Sequence, residues 1–313
     1  MEQQQINMWL ALQGRLTGGD LLLPEYRELE MYTSKRRHDG GESVLDGLSP
    51  SPDPALLSQL LPSWITLHLL ESSFEVTAAT PLEGVTSWQR YLALPRRSLA
   101  EKIVAESYRL LRIVRVALQH PQGVLKGNGQ RIELGCHANV YPLQLVISSV
   151  GLRLLDSLIH VYLRSRDCRE LGPAYLDAML LSYYTDLVAE LRGFEDEDRA
   201  LCQFRPVIEF NRHWRLECRN ARYRVEHGYC LLQLAPRYAD GQCHPIDFYV
   251  QLNDHHYRVP MEALVVPPSP QHLAVDGQPL RCAIAMSELA GWQIGKAPTR
   301  SDGASADVIP LTR

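Results

Sequence analysis

At 313 residues the chain is long enough for a sizeable core and for about two domains. Hydrophobic residues make up 45% and charged residues 22%, and the net charge of −4 argues against a basic nucleic-acid surface over the whole molecule, though not against a local basic patch. No apolar run reaches the roughly 18 residues that span a bilayer. The N-terminal text MEQQQINMWLALQGRL lacks the positive n-region of a secretory signal, and seven cysteines at wide spacing without CxxC read as reduced thiols of a cytoplasmic protein.

Residues 1–53 divide into a mixed segment containing Trp9, Leu10 and Leu12, a strand-like run at Leu21–Leu23, and a polar stretch at 33–53 with paired Gly and repeated Ser-Pro. That stretch cannot bury enough surface to order itself, so it reads as a flexible loop. A helix is expected from Asp53-Pro54, an N-cap followed by a first-turn proline. Leu56, Leu57, Leu60, Leu61, Trp64, Leu67 and Leu70 follow at helical spacing, with Pro62 expected to kink or split the run. SWQRYLAL (87–94) is a short amphipathic piece stopped by Pro95.

The central element is expected at Ser98–Val124. Ser98 and Glu101 have capping-box spacing, Leu99, Ile103, Leu110, Val114 and Leu118 form an apolar stripe, and His120-Pro121 stops the helix. Arg109, Arg112 and Arg115 recur every third residue on another face. GVLKGNGQ reads as a turn. A further helix is expected from Asn139 with Pro142 in its first turn, and another from Gly172-Pro173 to about Arg192, with Gly193 just beyond it.

After the acidic run Glu195-Asp196-Glu197-Asp198 the pattern changes. FRPVIEF (204–210), HWRLECR (213–219), ARYRVEH (221–227), YCLLQLAP (229–236), DFYVQLN (246–252) and HYRVP (256–260) are short and alternating. Asp240-Gly241 and Asn253-Asp254 are turn signals between them. LRCAIAM (280–286) is a last strand or a short helix. The tail from about Lys296 is polar. The expected fold class is α+β: an N-terminal segment at 1–53, an up-and-down helical bundle at 54–193, a smaller antiparallel β-rich domain at 199–294, and a disordered tail at 295–313.

One short motif approaches a chemistry. In RIVRVALQHPQGV, Arg115 and His120 are separated by four residues at the end of the expected bundle helix, and Gly123 lies two residues past Pro121. This resembles the HEPN superfamily of helical-bundle ribonucleases, over about residues 54–193. The resemblance implies a homodimer whose paired arginine and histidine cleave RNA without metal or cofactor, in a prokaryotic defence or toxin setting. Arg115 would hold the phosphate and His120 would act as general acid or base. Arg109, Arg112, Lys126 and Arg131 would contact the RNA backbone. The family's usual polar residue after the arginine is replaced here by Val116.

Plainer readings stand beside each of these. An arginine row is also what a solvated helix face looks like, and His120 is also a C-terminal capping side chain. The interleaved Trp214, Arg215, Arg219, Arg222, Tyr223 and Arg224 suit either a base-stacking platform or an exposed sheet face. Cys136-His137, Cys243-His244 and His255-His256 supply metal-ligand chemistry without zinc-site spacing, so no metal is expected. The rival function is a non-enzymatic interaction or regulatory protein with a ligand- or protein-binding β domain.

Overall fold

The computed structural model describes residues 21–28, 56–77, 84–127, 130–136, 141–168, 170–198, 200–234, 245–267, 274–275 and 278–295. The expected loop at 33–53, the helix start at Asp53-Pro54, the Asn139 cap, the Asp240-Gly241 turn and the tail from Lys296 lie outside these residues. Among the described residues no helix is long and apolar enough to cross a membrane.

The helices are α1 (Leu56–Thr77), α2 (Ser87–Ala93), α3 (Leu99–Gln119), α4 (Ser149–Cys168) and α5 (Pro173–Ala189). α1 runs unbroken through Pro62. Both α2 and α3 open with capping boxes: Thr86 with Gln89, and Ser98 with Glu101. His120 is the C-cap residue of α3.

The expected up-and-down bundle is not there. Between α3 and α4 lie β2 (Gly123–Gly127), β3 (Ile132–Cys136) and β4 (Leu143–Ile147), and α5 leads into β5 (Leu191–Glu195). These form an antiparallel meander in the order β2-β3-β4-β5. The helical expectation failed at LQLVI, which alternates and carries β-branched residues. Its burial alternates too at the start, with Leu143 buried, Gln144 exposed and Leu145 buried. The helix begins only after Ser148, whose Oγ accepts from the Gly151 N–H at 3.0 Å. Gly193 is likewise a strand residue opposite Val146, not a helix stop.

α3 lies between this sheet and the other helices, touching β2, β3 and β4 on one side and α1, α4 and α5 on the other. A helix enclosed on both sides has no solvated face in its middle turns. Ile103, Tyr108, Leu110, Leu111, Ile113 and Val114 are all fully buried, and so are Arg109 and Arg112.

The C-terminal half holds more β structure than a small antiparallel sheet. β1 (Glu25–Glu28), β6 (Trp214–Cys218), β9 (Ile246–Leu252), β10 (His255–Pro260) and β14 (Gln293–Ile294) form one mixed sheet in that order. β1 and β9 both run parallel to β6, while β9–β10 and β10–β14 are antiparallel. β7 (Tyr223–Glu226), β8 (Tyr229–Leu232) and β13 (Ala283–Ala285) form a second sheet in the order β13-β8-β7, and β11 (Ala274–Val275) pairs with β12 (Gln278–Pro279). The 246–260 hairpin forms as expected, with Asn253 and Asp254 both at positive φ in its turn. FRPVIEF forms no strand and crosses the surface, with Val207 94% exposed.

A buried ionic network joins the mixed sheet to α5. Asp247 accepts from Arg215 Nε at 2.8 Å, from Arg258 Nη2 at 2.7 Å and from the Tyr175 hydroxyl at 2.6 Å. Arg215 also forks onto Glu262 at 2.7 and 2.8 Å. Its guanidinium lies 4.2 Å from the centre of the Phe210 ring. Burial opposes the Asp247 charge, but the two arginines win and hold its carboxyl below the usual range.

Candidate functional site

The motif residues sit on the second half of α3 and the turn that follows it. The structure closes the three arginines onto four carboxylates, Glu71, Glu106, Asp196 and Glu197. Arg109 donates to Asp196 at 2.8 Å from Nε and 2.6 Å from Nη2, and to Glu106 at 2.8 Å. It also donates to the Ala200 carbonyl at 2.9 Å. Burial works against its charge, and the Asp196 hydrogen bonds and field more than compensate, so its pKa is raised. Arg112 forks onto both oxygens of Glu197, lies 3.5 Å from Asp196, and stacks over the Trp88 ring at 4.9 Å. Both arginines are 1% exposed, so neither presents a guanidinium to an RNA backbone. The expected basic face is an interior ion-pair row.

Arg115 is turned toward α1. Its Nη1 donates to both oxygens of Glu71, at 2.9 and 3.0 Å. Glu71 also accepts from the Tyr108 hydroxyl at 2.7 Å and lies 3.3 Å from Arg90. One turn earlier on α1, His68 packs edge-on against Trp64 at 4.4 Å between ring centres. Burial lowers the His68 pKa and Arg115 and Arg90 add to this, against the opposing field of Glu71. The Arg115 guanidinium is therefore already paired with a carboxylate, through Nη1 alone.

His120 is exposed, and it is held by the chain reversal that it caps. Its Nδ1 accepts from the Gln122 N–H at 3.1 Å, and its carbonyl accepts from the Gly123 N–H at 2.8 Å. That role requires the Nδ1 lone pair to be free of a proton. Gly123 has its own structural reason: a Cβ there would sit 2.1 Å from the Ala117 carbonyl oxygen. The glycine of the motif is thus needed for the step from α3 into β2.

Lys126 and Arg131 lie on the β2–β3 hairpin, both exposed. Lys126 stands opposite Glu133 in the ladder, and Arg131 pairs with the same Glu133 at 2.9 Å. Among the described residues no hydrogen bond or ion pair connects this pair to Arg115 or His120. In the β-rich half, Arg215 is fully buried, Arg219 pairs with Glu217 and Arg224 pairs with Glu226. These arginines serve the sheets' own carboxylates. Val225, on the same strand as Arg224, is 48% exposed.

Of the metal-ligand pairs, Cys136 is buried, and His137, Cys243 and His244 lie outside the described residues. Among the described residues no group of three or more His, Cys, Asp or Glu side chains is arranged to hold a metal ion.

Two features escaped the sequence reading. The first is the set of carboxylates that meets the arginines. Asp196 and Glu197 belong to the acidic run that reads as a boundary, and Glu71 is hidden in the leucine-rich text of α1. The second is a buried polar cluster between α1 and α4. Asp156 accepts from the Ser63 hydroxyl at 3.0 Å through Oδ2, while its Oδ1, the His160 Nδ1 and the Arg153 Nε have no hydrogen-bond partner. The spacing 153, 156, 160 places all three on one face of α4. Burial pushes Asp156 up to about 7, against the Ser63 and Thr66 hydroxyls, and burial with Arg164 brings His160 down to about 4. A helical D-x-x-x-H spacing was the available signal, though in sequence it is a weak one.

No protein-family model, no curated protein and no solved structure matches this chain.

Proposed function

We propose that this chain is a non-enzymatic interaction protein and not a metal-independent endoribonuclease. The observation that carries this reading is the engagement of Arg115 by both oxygens of Glu71, with Arg109 and Arg112 closed into ion pairs beside it. A phosphate entering at Arg115 would have to displace a carboxylate that is itself buried, held by a tyrosine hydroxyl and of the same charge as the phosphate. The turn supports the same reading, since His120 Nδ1 and Gly123 are both accounted for by the chain reversal.

The test is incubation of the full-length chain with single-stranded and hairpin RNA in the presence of chelator, beside Arg115→Ala and His120→Ala. The expected result is no cleavage by any of the three. Cleavage by the wild type that both substitutions abolish would overturn the proposal and restore the ribonuclease reading. The homodimer implied by the HEPN resemblance belongs to that second reading, and sedimentation velocity of the wild-type chain tests it in parallel.

A further inference from the structure

We propose that the cavity between the start of α3, the start of α5 and the β14 segment binds a small organic cation, an ammonium or amidinium group carried on an apolar body. The cavity measures about 460 Å³, and Leu171, Leu176, Ala290 and Ile294 supply apolar wall. Asp177 is its one charged lining residue among those described.

Asp177 is half-buried. Its Oδ1 accepts from the Ala100 N–H at 2.8 Å, in the first turn of α3. Among the described residues no other hydrogen bond or ion pair reaches it. Burial raises its pKa, and only the Ala100 N–H opposes that. A carboxylate that lines an apolar-walled cavity and has no counter-charge among the described residues is a situation in which a cationic donor gains.

The rest of the molecule shows how this chain otherwise settles buried carboxylates. Glu71, Glu106, Asp196, Glu217 and Asp247 each hold an arginine. Asp156 does not, but it is sealed from solvent and met by hydroxyls. Among the described residues Asp177 has neither solution, and it lines a cavity large enough for a compact ligand. A ligand cation would supply what an arginine supplies elsewhere. An anion would face the uncompensated carboxylate. The start of α3 offers it little in return, because Ser98 accepts from the Glu101 N–H and the Glu101 carboxylate accepts from the Ser98 N–H.

The experiment uses the full-length chain and three isosteric probes, 2-phenylethylamine, 2-phenylethanol and phenylacetate, with affinities from ligand-observed NMR titration at pH 7.5 and low salt. The amine is expected to bind about tenfold or more tightly than the alcohol, and the acid more weakly than either. Asp177→Asn keeps an oxygen for the Ala100 N–H and should erase the preference for the amine while leaving the alcohol unchanged. Ala290→Trp should remove binding of both by filling the cavity. Equal binding of amine and alcohol, an amine preference that survives Asp177→Asn, or no binding of any probe would each overturn the proposal. If Asp177→Asn fails to fold, the isostere series on the wild type and on Ala290→Trp still decides. The outcome is independent of the RNA assay, because no residue is shared between the two sites.

Discussion

Asp196 meets Arg109 with both carboxylate oxygens, a side-on fork that spans 87 residues of sequence inside the protein. The pair is 0% and 1% exposed, so neither charge has water to fall back on. Removing one partner leaves the other buried with only part of its pairing, Glu106 for Arg109 and Arg112 for Asp196. Asp196→Asn and Arg109→Ala should each cost about 3–5 kcal/mol in urea unfolding. Arg109→Lys should cost less, about 1–3 kcal/mol, because it keeps the charge but loses the fork. A cost below about 1 kcal/mol for Arg109→Ala would show that the row is not closed in solution.

Asp156 and His160 should give this protein opposing pH responses. The folded pKa of Asp156, about 7, lies above its ordinary value of 3.8. The native state therefore binds a proton that the unfolded state has lost, and stability from this group falls as pH rises from about 4 to 7. The full effect is up to about 4 kcal/mol above pH 7. Asp156→Asn keeps an acceptor for Ser63 and should stabilise the protein at pH 8 but hardly at all at pH 4. His160 works in reverse. Its folded pKa of about 4 lies below the ordinary 6.5, so stability is lost as pH falls through that window. Thermal unfolding midpoints of the wild type and of Asp156→Asn, which retains only the His160 response, across pH 4–8 check the two signs.

The Asp247 network should fail from the acid side. Its carboxyl is held low in the folded state, so its contribution is present above the ordinary carboxylate pKa and is lost as pH falls through the depressed folded value. Tyr175→Phe removes one hydroxyl donor at 2.6 Å and leaves the arginines in place. It should cost about 1–3 kcal/mol at neutral pH, measured by denaturant unfolding, with the acid transition moved to higher pH.

At the β9–β10 turn, Asn253 and Asp254 have φ of 49° and 64°. Asp254→Gly should stabilise by about 0.5–1 kcal/mol, because glycine reaches that region without a steric cost. Asn253→Val should destabilise by about 1–2 kcal/mol, since a β-branched side chain resists it. Unfolding midpoints of the two variants, which should shift in opposite directions, test this.

Local signals were legible in the sequence, and long-range partners were not. The Ser98–Glu101 box, the stop at His120-Pro121 and the Asn253-Asp254 hairpin follow from chemistry within four residues, and the structure has all three. LQLVI was misread because five apolar-rich residues fit a buried strand and a helix turn alike, and only pairing with β3 and β5 decides. The arginine row was misread for a related reason. Its spacing shows that the three side chains share a face, but whether that face meets water depends on Glu71, Asp196 and Glu197, which are distant in sequence. The mixed sheet was out of reach too, since nothing in the text of residues 25–28 announces a parallel partner at 214–218.

That parallel pairing of β1 with β6 also sets an order of events during synthesis. Leu22, just before β1, donates its N–H to Ser157 and accepts from the Tyr183 hydroxyl, so the N-terminal strand is fastened to α4 and α5 as well as to β6. At ribosomal rates of 5–20 residues per second, roughly 190 residues separate the emergence of β1 from that of its partner, a wait of about 10–40 s. During that interval the strand has an open edge and nothing to close it. β1 therefore waits longest of the sheet's strands for its partner, and it is where a nascent chain would be most exposed to a chaperone or to a second copy of itself.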